Sequence, residues 1–483
     1  MKAMEATKKP TLRRAITLPH AIAMVVGTII GASIFVQPSE ITGRVPSIPG
    51  MLLVWAVAGI LTLFGALVCA ELASIFTRSG GVYVYLREAF SPAVGFLWGW
   101  AMFWTMHSGI IAAIAVICAR YVGYFAPLGE TGVKAVAIGV ILLLSGINYL
   151  GVRQGANLQT VFTIGKVAAI LAMIVLGVLF GSRLPARPLP AGAWSFAVAP
   201  REFLLALVAG LFAFGGWHMV THNAEETVAP EKTIPRALVI GTLMVTACYL
   251  ALNAVYLYVL PLDTLASSTR VAADAADALL GFGGGAVMSG LVVFSTFGAL
   301  SGIILAGPRV YYAMAQDGLI FRWLGGVHDT HRTPHRAIAA QAIWSSVLVA
   351  TGTYRALFTR VVYTEWIFFG LMAIGLFVLR RRHGTQRAYS VWGYPLVPLI
   401  FIVSAFAIVF NQVIATPLES LTGLSFVVIG LPVYYLWARL GRSQKESTAP
   451  ESSKQESSKP RNGHGEGTPS QEIPPGPSPQ DPK

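Results

Sequence analysis

The chain reads Gly27-Thr28-Ile29-Ile30-Gly31-Ala32-Ser33-Ile34-Phe35 within its first long apolar segment, residues 16–41. A segment of this length can cross a bilayer, which takes about 20 apolar residues. Gly27 and Gly31 are four residues apart, so in an unbroken helix they would form a small-residue packing face against a neighbouring helix. Alternatively, the helix unwinds here, which a membrane tolerates only where the freed backbone lines a cavity.

A second glycine pair occurs in the sixth apolar segment, which reads Phe212-Ala213-Phe214-Gly215-Gly216-Trp217-His218. Gly31 and Gly215 are 184 residues apart, and the apolar segments form two blocks of five, residues 16–182 and 202–380. Because five is an odd number, the second block enters the membrane from the opposite side. Inverted repeats have this arrangement, often with one broken helix at matching places in each half. The pair of breaks therefore favours unwound helices over packing glycines.

The composition agrees with a membrane location. Hydrophobic residues make up 55% of the 483 residues and charged residues 12%, whereas a soluble domain carries about 25% charged residues. We therefore predict an all-α integral membrane protein with twelve transmembrane helices, of which the last two, residues 395–438, follow the repeats. The predicted segments are 16–41, 48–76, 92–124, 132–150, 157–182, 202–226, 235–260, 283–315, 337–352, 358–380, 395–414 and 420–438.

The positions of Lys and Arg predict the orientation. With twelve segments both termini lie on one side, and that side receives 21 of the 35 Lys and Arg residues, against nine on the other. Cytoplasmic loops carry such an excess, so we predict a multi-pass cell-membrane protein with both termini in the cytoplasm. The net charge of +13 then reflects topology, and the expected partner is the lipid bilayer, not nucleic acid. Residues 1–15 are expected to form a cytoplasmic arm, and residues 441–483 a disordered cytoplasmic tail.

The backbone of a broken helix can bind charged groups. Unwinding exposes N–H groups that attract an anion such as a carboxylate, and C=O groups that attract an ammonium. A molecule with both charges, such as an α-amino acid, matches two such breaks. The chain has neither a phosphate-binding loop nor a Gly-x-Ser-x-Gly motif, so ATP-driven transport and serine hydrolysis lack their residues. We predict a protein that is not an enzyme and has no cofactor.

These stretches resemble a known family. Gly27–Phe35 is similar to the Gly-Thr-Ile-Ile-Gly-Ser-Gly-Ile-Phe motif of the amino acid–polyamine–organocation superfamily, closest to its L-type amino acid transporter branch. The resemblance covers about residues 15–440 and implies the five-plus-five inverted repeat first seen in a bacterial leucine transporter, with helices 1 and 6 broken. It also implies amino acid transport by alternating access, commonly by exchange. Further matching stretches are Ala70–Leu72, Ser79–Gly81, Tyr85–Phe90, Phe212–Trp217, Glu225-Glu226, Pro230–Ala237, Gly307–Ala315, Asp317-Gly318, Thr333-Pro334, Glu365–Phe368 and Gly393–Pro395.

The resemblance also implies a substrate site at the two breaks. Backbone amides of the first break are expected to hold the substrate carboxylate, and carbonyls of both breaks the α-ammonium. Phe212 is expected to close the site from outside, and Trp217 to shape the side-chain pocket. The implied residues are Gly31, Ala32 and Ser33 for the carboxylate, Ile29, Phe212 and Gly215 for the ammonium, and Trp217 for the side chain.

The chain departs from the family pattern in three ways. Ala32-Ser33 stands where the motif has Ser-Gly, which makes glycine-like backbone freedom at Ser33 harder to achieve. His218 stands where the family usually has Asn, which adds a polar or pH-sensitive group. The loop at 125–131 lacks the cysteine that animal members use to bond a glycoprotein partner. We therefore expect no disulfide-linked heavy chain.

Lys166 is the single charge in the apolar run 161–179. Its stem could extend to an interface, but it lies near the middle of its segment, where an ionisable group is a functional candidate. The resemblance implies that this lysine stands in for a sodium ion and ties the fifth segment to the broken first helix. Sodium is then not the coupling ion.

His218 and His222 are four residues apart, a spacing that zinc sites often use. Met219, however, stands where the zinc-protease motif has its catalytic Glu, so we predict no metal site and interpret His218 as a polar group on the transport pathway. Glu225 and Glu226 are expected to be structural. Two further acidic residues near segment ends are expected to form interfacial pairs, Glu71 and Glu365.

Together these observations predict a sodium-independent secondary transporter of amino acids, working by exchange or by proton-linked symport. Neutral amino acids are the predicted substrates, because the expected pocket walls, Phe212, Phe214 and Trp217, are apolar and include no acidic residue. The alternative is a transporter of cationic amino acids or polyamines, which would usually need a carboxylate at the site. A receptor without transport activity and a membrane metalloenzyme are the remaining alternatives.

Overall fold

The computed structural model describes residues 14, 16–78, 80–150, 153–183, 192–195, 198–281, 283–328, 330–331, 333–383 and 387–447. Across these ranges the chain is α-helical, and its one extended pairing is an isolated bridge between Ile16 and Thr227. The all-α class is therefore confirmed. The helices are α1 Leu18–Ile29, α2 Gln37–Thr42, α3 Ile48–Ile75, α4 Val82–Ala89, α5 Pro92–Ala101, α6 His107–Val122, α7 Glu130–Leu150, α8 Arg153–Phe180, α9 Pro200–Ala213, α10 Pro230–Val259, α11 Leu262–Ser267, α12 Val271–Leu280, α13 Gly284–Gln316, α14 His335–Thr351, α15 Tyr354–His383, α16 Leu396–Ala415 and α17 Pro417–Ser447.

Ten helical stretches within the described residues are long and apolar enough to cross a membrane. Two of the twelve predicted segments are not among them. The first is divided between α1 and α2, because its helix ends at Ile29, and the ninth corresponds to α14, which has 17 residues. A membrane protein with many spans is thus supported, while the count of twelve and the inverted repeat stay predictions.

The helices up to Trp437 form one compact unit. Its centre is filled by α3 and α10, which pack against each other, and by α6, α13 and α15. Large side chains such as Trp55, Trp98 and Tyr249 are fully buried there. On the outside, α8 and α16 expose apolar side chains, among them Val178 and Phe410, as expected of helices that face lipid.

The C-terminal region differs from the prediction in one respect. Disorder was expected from residue 441, but α17 continues to Ser447. Its last turns contain good helix formers such as Arg, Gln, Lys and Glu. The rest of the predicted tail, and the predicted arm except Arg14, lie outside the described residues.

Candidate functional site

The first break follows α1. Gly31 donates its backbone N–H to the carbonyl of Ile29 at 2.6 Å, rather than to the carbonyl of Gly27, its partner four residues back in a regular α-helix. A short 3-10 helix, Ser33–Phe35, comes next, and α2 then continues the segment. The break therefore frees the carbonyl of Gly27 from the helix.

Lys166 takes up this freed carbonyl. Its Nζ donates a hydrogen bond to the carbonyl oxygen of Gly27, and its side chain is only 2% exposed. An ammonium beside the last carbonyls of a helix is favourable, because the C-terminal end of the helix dipole is negative. The lysine in the middle of α8 thus gives a hydrogen-bond partner to the carbonyl freed at the end of α1.

The second break follows α9. Gly216 has φ 93°, a left-handed conformation that glycine adopts without strain, and a 3-10 helix, Trp217–Glu226, begins directly after it. A Cβ on Gly216 would lie 3.0 Å from the carbonyl oxygen of Thr28. The two breaks are therefore in direct contact, and the absence of a side chain at Gly216 permits this approach.

Tyr249 of α10 joins the two helix ends. Its hydroxyl lies 3.1 Å from the carbonyl oxygen of Ile29 at the end of α1 and 3.1 Å from that of Ala213 at the end of α9. Sequence reasoning missed this residue. The only available indication was a tyrosine within an apolar segment, because a buried tyrosine hydroxyl usually has a hydrogen-bond partner.

A small cavity of about 30 Å³ lies between the breaks, with room for one or two water molecules. Five of the seven predicted substrate-binding residues line it, whereas Ala32 and Trp217 do not. Trp217 packs instead against Phe369, with ring centroids 5.0 Å apart. The lining residues are Thr28, Ile29, Gly31, Ser33, Ile110, Ile114, Phe212, Gly215, Gly216, Met219, Ile303, Val361 and Glu365.

Two of the carbonyls predicted to hold an ammonium already accept hydrogen bonds within the chain. The Ile29 oxygen accepts from both Gly31 and Tyr249, which uses both of its lone pairs. The Phe212 oxygen accepts from the backbone N–H of Gly215 at 3.1 Å. A ligand ammonium at Ile29 would therefore replace one of the existing donors.

Glu365 lines this cavity, which corrects the expectation of an interfacial pair. It lies three turns into α15, is 5% exposed, and forms no ion pair or hydrogen bond with any described residue. The ion pair predicted for Glu71 is confirmed. Its carboxylate binds Arg380 and Arg387, each at 2.5 Å, and accepts a hydrogen bond from the backbone N–H of Val391 at 2.7 Å. Of the three apolar walls expected from the sequence, only Phe212 lines this cavity, and Glu365 adds an acidic residue to its lining.

An aromatic stack leads from the cavity towards the end of the helices that is distant from Leu18. Phe212 packs on Phe358 and Phe358 on Tyr354, with ring centroids 5.5 and 5.2 Å apart, and the guanidinium of Arg120 lies 4.6 Å from the Tyr354 ring. Beyond the stack lie two larger cavities of about 630 and 330 Å³, and Arg120 lines both. We call these four residues the outer stack. It separates the small cavity from the larger ones.

Polar contacts join the helices at the opposite end. The Tyr83 hydroxyl of α4 donates to Asp317 at 2.7 Å, and Arg87 pairs with the same carboxylate at 3.1 Å. Burial raises the pKa of Tyr83, and its hydrogen bond to Asp317 raises it further, so the hydroxyl keeps its proton. At this end Ile16 also bonds through its backbone to Glu226 at 3.0 Å. We call Tyr83, Arg87 and Asp317 the inner link.

The histidines lie outside the small cavity. His218 is buried against Trp98, Phe369 and His222, with ring centroids 5.1–5.8 Å away, and its Nδ1 has no hydrogen-bond partner among the residues described. Within the same part of the chain no group of three or more His, Cys, Asp or Glu side chains is arranged to hold a metal ion. Nothing in this geometry favours a metalloenzyme.

Comparisons with known proteins agree with the interpretation of this chain as an amino acid transporter. A profile described as amino acid permease matches residues 16–436. The chain is 32% identical over 435 residues to the serine/threonine exchanger of Bacillus subtilis (strain 168), which covers 89% of this chain and 98% of that protein. It is 31% identical over 451 residues to b(0,+)-type amino acid transporter 1 of Homo sapiens, covering 91% of each. It is 30% identical over 438 residues to the cystine/glutamate transporter of Homo sapiens, covering 89% of this chain and 86% of that protein.

Proposed function

This chain belongs to the amino acid permease family, and from that premise we propose that it exchanges amino acids across a membrane by alternating access, without sodium. The family and the apolar helices make it a multi-pass membrane transporter rather than an enzyme. The observation that carries the finer proposal is the hydrogen bond from Lys166 to the carbonyl of Gly27. It puts the amine of a lysine beside a helix break, at the place where we propose that no bound cation is needed.

The substrate is proposed to bind by its main-chain groups at the two breaks. The N–H groups of Ala32 and Ser33 begin a 3-10 helix, and the first amides of a helix have no partner within it, so they can receive a carboxylate. The carbonyls of Phe212 and Gly215 are proposed to receive the ammonium. Phe212 also begins the outer stack, which supports a gating role for it.

The arrangement of the whole chain is part of the same proposal. Residues 16–182 and 202–380 form the inverted repeats, with both termini in the cytoplasm, and the direct contact of Gly216 with Thr28 supports a shared site between the repeats. We propose that the protein needs no disulfide-linked partner. In support, Cys69 and Cys118 are buried, and Cys248 is partly buried in the middle of α10.

Exchange is preferred over proton-linked symport, because a relative that matches along 98% of its length is named a serine/threonine exchanger. Neutral amino acids are the substrates predicted from the sequence. The alternative class, cationic amino acids, is favoured by a specific observation, the buried carboxylate of Glu365 in the cavity.

The experiment is uptake of radiolabelled serine, leucine and lysine into proteoliposomes that contain the purified protein. We expect uptake only into vesicles preloaded with amino acid, at equal rates in sodium and potassium buffers and at two external pH values. Lys166→Met should lower uptake at least tenfold, because the carbonyl of Gly27 loses its partner, and Lys134→Met, which alters a lysine at the surface, should not.

Other results would contradict specific parts of the proposal. Uptake into empty vesicles that increases with an inward proton gradient would mean symport. Sodium-dependent uptake would rule out the proposed role of Lys166. Absence of uptake for every amino acid in preloaded vesicles would refute amino acid exchange itself.

A further inference from the structure

We propose that Glu365 makes the cavity selective for amino acids whose side chain ends in a positive charge, the class of lysine, ornithine and arginine. This inference rests on the proposed function, because it assumes that the cavity between the breaks, which has about 30 Å³ here, widens to hold the substrate during transport. It assigns the carboxylate of Glu365 to the side chain of the substrate, while the breaks hold the main-chain groups.

Glu365 is the single ionisable group among the described residues that line the cavity. The rest of the lining consists of helix-break residues and of apolar side chains such as Ile110, Ile114 and Ile303. A charge on a ligand side chain in this cavity therefore meets hydrocarbon, the polar groups of the breaks that we assign to the main chain of the substrate, or this carboxylate. A positive side chain is the one charged type that the wall accepts.

The position of Glu365 separates it from the groups that bind the main chain. The two breaks belong to the segments of α1 and α9, whereas Glu365 lies on α15. Phe358, Val361 and Glu365 follow one another at helical spacing, so they share one face of α15. Phe358 packs on the gate residue Phe212, and Val361 lines the cavity beside Glu365. This face of α15 thus forms a wall of the pathway.

Glu71 and Glu365 are both buried, but only Glu71 has positively charged neighbours among the described residues, and we infer that a ligand supplies the charge at Glu365. A buried carboxylate stays ionised only when it is paired with a positive charge and hydrogen-bonded, and without these partners it takes up a proton. Glu71 meets this condition through two arginines and one backbone N–H. Glu365 is also buried, yet no described residue supplies a donor or a positive charge to it. A cationic side chain of the substrate would supply both.

The test is the ratio of lysine to leucine uptake by the full-length protein in proteoliposomes preloaded with both amino acids. We expect the wild type to take up lysine, with unlabelled ornithine and arginine competing. Glu365→Gln should lower the ratio at least tenfold, and Glu365→Asp, which keeps the charge, should lower it less. The matched control is Glu130→Gln, at an exposed glutamate of another cavity, and it should leave the ratio unchanged.

Each other outcome has a definite meaning, provided that size-exclusion profiles and thermal unfolding show that the variants are folded. A wild type that takes up leucine but not lysine would overturn the inference and leave amino acid exchange intact. An unchanged ratio of lysine to leucine uptake in Glu365→Gln would also overturn the inference. This holds even if the variant loses a response of uptake to a proton gradient, because Glu365 would then act on protons and not on the side chain of the substrate. If the wild type takes up neither amino acid, the proposed function fails as well.

Discussion

The hydroxyl of Tyr249 lies 3.1 Å from the carbonyl oxygens of both Ile29 and Ala213. Tyr249→Phe keeps the ring packed against Trp55 and Phe214 but takes one donor from two buried helix ends. The carbonyl of Ile29 keeps its bond from Gly31, so the loss falls mainly on that of Ala213, and leaving one buried polar group without a partner costs about 1–3 kcal/mol. We therefore expect this variant to lose about that much stability, measured by unfolding in detergent, and to transport severalfold more slowly in proteoliposomes.

Tyr256 provides a matched control for this prediction. It lies on the same helix, α10, and is fully buried, but its hydroxyl has no hydrogen-bond partner among the residues that the structure describes. Tyr256→Phe removes no bond and should be nearly neutral for both stability and transport. Equal losses in the two variants would show that the link between the helix ends is not the cause.

Sequence analysis finds a functional candidate most easily where one residue interrupts a hydrophobic segment. Lys166 is conspicuous as the single charge in an apolar run, and it lies at the first break. Glu365 was placed near an interface because hydropathy starts its segment at 358, whereas α15 begins at Tyr354. Which face of α15 borders the cavity is decided by neighbouring helices. Tyr249 has partners 36 and 220 residues away, which no local pattern contains.

Among the elements, the second break depends most on one residue. Gly216 has φ 93°, and a Cβ there would lie 3.0 Å from the carbonyl oxygen of Thr28. A left-handed conformation costs a residue with a side chain about 1–2 kcal/mol, and the close approach to α1 adds to this cost. We expect Gly216→Ala to reduce the thermal stability and the yield of folded protein, and to abolish most transport.

Gly139 is the control at this scale. It lies within α7, and a Cβ there would meet no atom within 4 Å. Since alanine favours a helix over glycine by about 1 kcal/mol, Gly139→Ala should be as stable as the wild type or slightly more stable. If both alanine variants behaved alike, the contact between the breaks would not explain the need for Gly216.

The boundaries of elements were predictable where hydropathy decides them and not where other forces do. The third apolar segment, predicted at 92–124, corresponds to the stretch Pro92–Val122. A break in the first segment was predictable from its glycines together with the second glycine pair, but the exact end of α1 at Ile29 was not. The end of α17 at Ser447 was not predictable, because hydropathy gives no signal in a polar sequence of good helix formers.

For the molecule as a whole, the small cavity is bounded in two directions. The outer stack of Phe212, Phe358, Tyr354 and Arg120 lies on one side, and the inner link of Tyr83, Arg87 and Asp317 lies towards the other end. The sequence predicted the site between two breaks and Phe212 as a gate. It did not predict the rest of either group, because each joins residues more than 200 positions apart in the chain.

These two groups predict opposite effects on access to the cavity. In a protein that alternates between two states, weakening the contacts that close one end increases the population open at that end. Asp317→Asn removes the charge that Arg87 binds and weakens the acceptor of Tyr83. Phe358→Ala removes the centre of the outer stack. A cysteine in place of Met219, which lines the cavity, reports access in a background without the three native cysteines.

We expect Asp317→Asn to speed labelling of that cysteine by a membrane-impermeant maleimide at least threefold from the Leu18 end, and Phe358→Ala to speed it from the other end. Right-side-out and inside-out vesicles provide the two directions, and Glu130→Gln is the control that should change neither rate. Effects on opposite sides are expected only if the outer stack and the inner link close the cavity in two alternating states. A general loosening of the helices would instead raise the labelling rates from both sides in each variant. Faster labelling from the same side in both variants would therefore contradict alternating access through this cavity.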